Sequence, residues 1–280
     1  MAGPRRQNTG SAPDKRLAEA VARHQAGDLA QAAILYDRLL ESHPGNADAL
    51  HLLGLLKHQQ GQSDAGIELI EQALRQHPDS PLFLGNLANV LQAVGRSRQA
   101  ADRYRQLLKA APETAAVHRD LGKALADAGD SAGALRHLDR ALKLAPEDAR
   151  AHGHRADLLA QGGRLDEAAL DYAAVLQIDP RSGPAHCGLG NVLREQGHLD
   201  KALDHCRRGL ELEPRFAIGY TDLGRCLQEL RRFDEALVAY RQALALDPRL
   251  YAVAVKKISK ASAGRLWLHP SRLRKVLLPS

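Results

Sequence analysis

The chain has 280 residues, which allows one or two domains, and 44% of them are hydrophobic, enough to build a core. The formal charge of +6 is concentrated at the two ends, since residues 250–280 contain seven Lys or Arg and no acid, whereas the part between residues 16 and 250 is net acidic. No stretch reaches the roughly 18 apolar residues of a membrane span, and the N-terminus lacks the apolar segment of a secretory signal, so the sequence predicts a cytoplasmic protein.

Prolines recur along the chain at a constant interval of 34 residues, without insertion or deletion. A glycine stands seventeen residues before each of the first six, and Arg231 takes that place before the seventh. A fixed period between 20 and 50 residues indicates a solenoid, in which one supersecondary unit stacks on copies of itself. The prolines are Pro44, Pro78, Pro112, Pro146, Pro180, Pro214 and Pro248.

Residues 1–12 are rich in Gly, Pro, Ser, Thr and Asn and are expected to be a disordered leader. The repeats that follow contain apolar residues at helical spacing, such as Leu50, Leu53 and Leu56, and each is predicted to form two helices. Their predicted bounds are 13–46, 47–80, 81–114, 115–148, 149–182, 183–216 and 217–250.

The joints between helices have a local physical cause. Polar residues two positions after a proline are expected to be N-caps of the next first helix, contributing about 1 kcal/mol each. The recurring glycine can adopt the positive φ that ends the first helix. Aspartates are expected in the first turn of several second helices, where the helix dipole is positive. The N-cap residues are Asn46, Ser80, Thr114, Asp148 and Ser182, and the aspartates are Asp64, Asp166, Asp200 and Asp234.

Two recurring positions in the second helices are predicted to lie in the core. Small residues such as Ala168, Ala202 and Ala236 are expected where two helices cross, because Leu there would overpack by roughly 1–3 kcal/mol. Tyrosines recur four residues later, and this periodicity favours packing over ligand binding. They are Tyr36, Tyr104, Tyr172 and Tyr240.

This combination of landmarks resembles the tetratricopeptide repeat. The best matches are Leu121-Gly122, Ala134, Ala141 and Pro146 in the fourth repeat and Tyr220, Leu223-Gly224, Ala236, Tyr240, Ala243 and Pro248 in the seventh. The first repeat departs most, with Arg16, Glu19 and Ala20 in place of the large residue and the Leu-Gly pair, so its first helix is expected to fray or to act as a cap. The resemblance implies an all-α fold, a right-handed superhelical α-solenoid whose first helices line a concave face.

The segment after the last repeat is expected to end the solenoid. Residues 251–263 have apolar residues on one face and Lys256, Lys257 and Lys260 elsewhere, which suits a capping helix that solvates the last repeat. Residues 264–280 are expected to be a basic amphipathic tail, and they include the only tryptophan, Trp267.

No pattern for catalysis or metal binding emerges. His118, His152 and His186 occupy one position in three successive repeats, but equivalent positions of stacked helices lie about 9–10 Å apart, too far for a shared zinc ion. The odd number of cysteines, Cys187, Cys206 and Cys226, without a C-x-x-C pair suits a reducing compartment. Nucleophile-elbow, zinc-protease and phosphate-loop motifs are missing. We therefore expect a non-enzyme without cofactor or metal.

Binding is expected on the concave face that the resemblance implies. Amides there can bond to a peptide backbone and arginine can hold a carboxylate, although a solvated polar surface is the alternative for any single residue. The predicted contact residues are His51, Leu55, Asn89, Gln92, Arg119, Lys123, Arg150, Asp157, Asn191, Arg194, Thr221, Arg225 and Gln228. Gly85 stands where relatives that bind chaperone tails have Lys, which disfavours that partner.

The predicted function is a scaffold that binds a protein or an extended peptide. One alternative is the substrate-recognition arm of a separately encoded or lost transferase, similar to a glycosyltransferase or a sulfotransferase, because LGNVLREQGHLDKAL (189–203) is similar to repeats of O-linked N-acetylglucosamine transferases and their bacterial relatives. Another is anionic-surface binding through the basic C-terminal tail, although nucleic acid is disfavoured by the acidic body and the lack of interleaved aromatics. Self-association through a terminal repeat is a further possibility that the sequence leaves open.

Overall fold

The computed structural model describes residues 12–252, with side chains from Lys15 onward. Residues 1–11 of the expected leader at 1–12, nearly all of the expected capping helix at 251–263 and the tail at 264–280 lie outside the described residues, and Ala12 begins α1. Within the described range the chain is all helical, with no strand. No helix of this range is long and apolar enough to cross a membrane.

Fourteen α-helices follow one another in residues 12–252, two to each repeat, and a short 3-10 turn, Pro248–Leu250, comes after the last of them. The prediction of seven helix pairs is thereby confirmed. Their bounds are α1 Ala12–Gln25, α2 Leu29–Ser42, α3 Ala47–Gln59, α4 Ser63–Gln76, α5 Pro81–Ala93, α6 Ser97–Ala110, α7 Ala115–Asp127, α8 Ser131–Leu144, α9 Ala149–Gln161, α10 Leu165–Ile178, α11 Gly183–Glu195, α12 Leu199–Leu212, α13 Ala217–Glu229 and α14 Phe233–Leu246.

The expected N-caps are all formed. The side chain of Asn46, for example, accepts a hydrogen bond from the backbone N–H of Ala49, and the other four polar residues at this position do the same for their helices. The seventh repeat lacks such a residue, since Phe216 stands at the start of α13. The first-turn aspartates are also where the sequence places them.

The turn between the two helices of each repeat uses the left-handed backbone conformation. Six recurring glycines have φ between +75° and +89°, as expected. Arg231 adopts φ +60° at the seventh site and is the one non-glycine residue of the described range with a positive φ. The turn geometry therefore persists where the sequence pattern breaks.

The described chain divides into two compact parts, one up to His137 and one from Leu138, with the division inside α8. In the N-terminal part, one core cluster joins α1, α2 and α3 around Ala20, Tyr36 and Leu56. In the C-terminal part, Leu227, Tyr240 and Leu244 belong to the cluster at α13 and α14. The small residues of the second helices and the four recurring tyrosines are buried, so both core predictions are confirmed.

Two helices approach closely in the second repeat. A Cβ added to Gly54 of α3 would lie 2.7 Å from the backbone oxygen of Gly66 of α4, and a Cβ on Gly66 would lie 2.5 Å from the backbone oxygen of Gly54. Real Cβ atoms do not approach backbone so closely, so only glycine on both helices permits this separation.

Candidate partner-binding face

The predicted contact residues all lie on first helices, and we call the surface that they define the first-helix face. Asn89, Arg150 and Asp157 are exposed, whereas four of the others are buried: His51, Arg194, Thr221 and Gln228. In the N-terminal part this face includes α3, α5 and α7, and in the C-terminal part α9, α11 and α13. A side chain can belong to this face and still be unavailable to a partner, because it is buried or already bonded to another side chain.

Two asparagines of α5 are oriented by neighbouring side chains. Nδ2 of Asn86 lies 2.8 Å from Nε2 of His51, so the ring nitrogen must accept. The hydroxyl of Tyr104 donates to Oδ1 of Asn89 at 2.6 Å. Neither Oδ1 of Asn86 nor Nδ2 of Asn89 has a partner among the described residues. The two amides thus present one acceptor and one donor, three residues apart on the same helix.

The protonation state of His51 supports this arrangement. His51 is only 2% exposed and its ring centroid lies 4.6 Å from that of Phe83. Burial lowers the pKa of His51, against an opposing effect of Asp48. The neutral ring can accept from Asn86, whereas a protonated ring could only donate. His51 therefore acts from beneath the face, through Asn86, instead of lining it.

The two predicted basic contact residues of the N-terminal part are engaged with acids of the same chain. Nε of Arg119 donates to Asp120 at 2.9 Å, and Nζ of Lys123 donates to Asp127 at 2.6 Å. Nε2 of Gln92 also donates to Asp127, which leaves its buried Oε1 without a hydrogen-bond partner among the described residues. Leu55 is half-buried on α3.

The C-terminal part contains a larger polar network. Oδ1 of Asn191 accepts from Arg194 at 3.2 Å and from Arg225 at 2.9 Å. Arg194 is 7% exposed, and its two terminal nitrogens also donate to Glu229 at 2.5 Å and to Glu195 at 2.7 Å. Its Nε has no hydrogen-bond partner among the described residues. The guanidinium groups are therefore already used to join α11 to α13.

The remaining predicted residues differ in their availability. Arg150 and Asp157 are exposed on α9, and Asp157 accepts from the hydroxyl of Tyr172 at 2.5 Å. Thr221 is buried and donates to the backbone oxygen of Ile218 at 2.6 Å. Gln228 is also buried and accepts from the hydroxyl of Tyr240 at 3.0 Å.

A recurring bond between neighbouring repeats was missed by the sequence analysis. A side chain near the end of one first helix bonds to a side chain 35 residues later in the pairs His24–Gln59, Gln92–Asp127 and Arg194–Glu229. Because the repeat is 34 residues long, the two partners of each bond are polar residues whose repeat positions differ by one. A comparison of residues 34 apart does not pair these partners, because they stand at adjacent repeat positions.

The three histidines that share one repeat position each bond to the second helix of their own repeat. Nδ1 of His118 lies 2.9 Å from Nδ1 of His137, and Nδ1 of His186 lies 3.1 Å from Nδ1 of His205. His152 bonds instead to Asp171 at 2.7 Å. Each residue thus joins a first helix to its second helix. Residues 12–252 contain no group of three or more His, Cys, Asp or Glu that could hold a metal ion.

The three cysteines are buried and free. Sγ of Cys206 lies 3.8 Å from Sγ of Cys226, and burial raises the pKa of Cys187 to about 12. A thiol held protonated in this way is a poor nucleophile. The cysteines are therefore packing residues.

Comparison with known families identifies the repeats. Family profiles described as tetratricopeptide repeat match residues 23–90 and 57–125, 119–183, and 183–216 and 217–250. These matches cover most of the chain. The chain belongs to the tetratricopeptide repeat family. Repeats of this family generally form non-catalytic scaffolds for protein–protein interaction, and that is the class of function that the matches support.

Solved tetratricopeptide repeat structures share the fold. A tetratricopeptide repeat protein from Parabacteroides merdae aligns with a TM-score of 0.75 and 18% identity over 89% of this chain and 99% of that chain. PilF of Pseudomonas aeruginosa aligns with a TM-score of 0.60 and 20% identity over 72% and 92%. YrrB aligns with a TM-score of 0.53 and 22% identity over 66% and 95%. No curated protein matches the chain in sequence.

Proposed function

We propose that this tetratricopeptide repeat protein is a cytoplasmic adaptor that binds an extended peptide segment of a partner protein on its first-helix face. The observation that carries the proposal is the pair of oriented amides on α5, Oδ1 of Asn86 and Nδ2 of Asn89. A peptide group in an extended chain offers one N–H donor and one C=O acceptor, which complements this pair. The free thiols are consistent with a reducing compartment.

The ion pairs on the first-helix face favour a peptide that is recognised through its backbone. Arg119, Lys123, Arg194 and Arg225 are each within ion-pair distance of an acid of the same chain. A carboxylate-rich partner would have to displace those acids, whereas backbone amides need no such exchange. We therefore propose recognition through the peptide backbone, with little dependence on the charge of the ligand. YrrB, described as a tetratricopeptide repeat protein with an unusual peptide-binding site, shows that a chain of this fold can bind a peptide.

The proposal can be tested with peptides selected from a random library displayed against the full chain. Affinity of a selected peptide would be measured by fluorescence anisotropy for the wild type and for the Asn86→Ala/Asn89→Ala variant. Loss of about 0.5–1 kcal/mol for each of the two hydrogen bonds predicts roughly a 5- to 30-fold weaker Kd.

The matched control is Gln99→Ala, which removes an exposed amide from the second helix α6 of the same repeat. This variant should bind like the wild type. Unchanged affinity in the double asparagine variant, with helicity retained, would overturn the proposal.

A further inference from the structure

The orientation of the Asn86 amide depends on a side chain from the preceding repeat. Nε2 of His51, on α3, lies 2.8 Å from Nδ2 of Asn86, on α5. An amide nitrogen only donates, so Nε2 is the unprotonated nitrogen of the ring and the ring proton is on Nδ1. With Nδ2 of Asn86 bonded to His51, the acceptor Oδ1 is directed away from the ring.

The ring of His51 is enclosed, so the groups around it have to compensate any charge that it takes up. His51 is 2% exposed, and its ring centroid lies 4.6 Å from that of Phe83 on α5. His77, which follows α4, contacts the same phenyl ring with centroids 6.3 Å apart. Asp48, on the same helix as His51, is the one charged group of the described residues that shifts the pKa of the ring, and it opposes the larger effect of burial, which lowers that pKa.

The amide of Asn86 is the group that can respond to a proton on His51. A protonated ring presents an N–H where the neutral ring presents a lone pair, so two donors would face each other. Rotation of the amide by about 180° relieves this conflict, because it brings Oδ1 to the ring with little change in shape. The same rotation replaces the acceptor that Asn86 offers to a ligand with a donor.

We propose that His51 is a positioning residue whose protonation switches the amide pair of α5 from one acceptor and one donor to two donors. The hydroxyl of Tyr104 holds Asn89 with its donor Nδ2 outward, and this bond does not involve His51. A peptide N–H bonded to Oδ1 of Asn86 therefore loses its acceptor when the amide rotates. The switch rests on the proposed function, because it acts on the same two amides.

Peptide affinity should be full where His51 is neutral and should fall as the ring takes up a proton. Because burial lowers the pKa of His51, the fall should lie below the ordinary histidine pKa of about 6.5. Loss of one hydrogen bond between neutral groups corresponds to roughly a 2- to 13-fold weaker Kd. By linkage, a bound peptide should lower the pKa of His51 further.

The affinity profile against pH tests the switch. The probe is a peptide selected against the full chain from a library without His, Asp or Glu and with blocked termini, so that the peptide itself does not titrate. Its Kd would be measured by fluorescence anisotropy between pH 5.0 and pH 7.5, with helicity recorded at each pH. The wild type should bind more weakly at pH 5.0 than at pH 7.5.

Two substitutions separate His51 from the other histidines of the first helices. His51→Gln supplies an acceptor oxygen that does not titrate, so it should bind like the wild type at pH 7.5 and keep that affinity at pH 5.0. His51→Leu supplies no acceptor and should bind weakly at both pH values. A His51→Gln variant that retains the wild-type dependence on pH would overturn the inference.

The amide rotation can be followed without a ligand, by NMR of the nitrogen-15-labelled chain. The side-chain NH₂ signal of Asn86, assigned by its loss in Asn86→Ala, should move with pH at the same midpoint as the ring of His51. A ring that titrates while this signal stays fixed, or a ring that stays neutral down to pH 5.0, would overturn the switch. Binding that depends on Asn86 and Asn89 would then still support the proposed function. A signal that moves as expected, in a chain whose asparagine variants bind normally, would contradict only the proposed function.

Discussion

At the scale of single residues, the turn after α13 shows how geometry can persist when its preferred residue is lost. Six repeats use glycine at positive φ, and Arg231 holds φ +60° at the same place. A non-glycine residue in this conformation costs roughly 1–2 kcal/mol. Neighbouring bonds nevertheless keep the turn, since the backbone N–H of Arg231 still donates to the oxygen of Gln228 at 3.0 Å.

Arg231→Gly should therefore stabilise the protein. Relief of strain is partly offset by the greater freedom of glycine in the unfolded chain, which costs about 0.4–1 kcal/mol, so we expect a net gain of roughly 0.5–1 kcal/mol in the free energy of unfolding. Urea unfolding of the wild type and the variant measures this gain. The reciprocal change, Gly197→Arg, places a side chain in open space at φ +85° and should destabilise by a similar amount. A lower free energy of unfolding for Arg231→Gly would show that Arg231 makes a compensating contribution.

At the scale of helices, the fifth repeat contains an ion pair where other repeats have a leucine. Arg155 stands at the position of Leu121 and Leu189 and bonds to Asp171 and to Asp139 of α8. These bonds raise the pKa of Arg155, with the hydrogen bond to Asp171 as the largest cause. Because Asp171 is buried, its carboxylate depends on Arg155 and His152 for compensation.

Removing only the arginine should be costly. Arg155→Leu leaves Asp171 with His152 alone and should lower the free energy of unfolding by about 3 kcal/mol, the range for an uncompensated buried charge. Arg155→Leu/Asp171→Leu reproduces the residues found at these positions in the second repeat, Leu53 and Leu69, and should recover most of the loss. Denaturant unfolding of both variants provides the measurement. A double variant no more stable than the single variant would contradict a leucine-compatible core at this site.

The elements of the fold could be predicted because their signals are local and repeated. The N-caps, turn glycines and buried tyrosines each follow from residue type at a fixed position. The candidate site was less predictable, because the burial and bonding of each predicted contact residue depend on side chains from other parts of the chain. Asn191 and Arg225 are on the predicted face, but the sequence does not show that they bond to each other or that Thr221 is buried. Asn86 was missed, since its importance comes from His51, which lies one repeat away.

At the scale of the whole molecule, histidine burial couples stability to pH. Burial is the largest cause that lowers the pKa of His51, His137 and His205, and the neighbouring imidazoles of His118 and His186 lower the last two further. Each ring is therefore neutral in the folded state at a pH where it would already take up a proton in the unfolded chain. Below the ordinary histidine pKa of about 6.5 the unfolded state binds more protons, so stability falls as pH falls.

We expect a lower urea midpoint at pH 5.0 than at pH 7.5. A variant with His137→Gln and His205→Gln should show a smaller change between the two pH values, because it lacks two of the titrating groups. Exposed acids with lowered pKa values, such as Glu167 and Glu235, contribute only at more acidic pH. An equal or higher midpoint at pH 5.0 would contradict the assignment of neutral buried rings.

We propose that a peptide binds on the first-helix face. Hydrogen–deuterium exchange of the full chain, with and without a peptide selected against it, tests this most directly because it locates the contact without mutation. A peptide bound on this face should slow exchange in the first helices, with α5 protected most in the N-terminal part. Protection confined to second helices, with α5 unchanged, would contradict it.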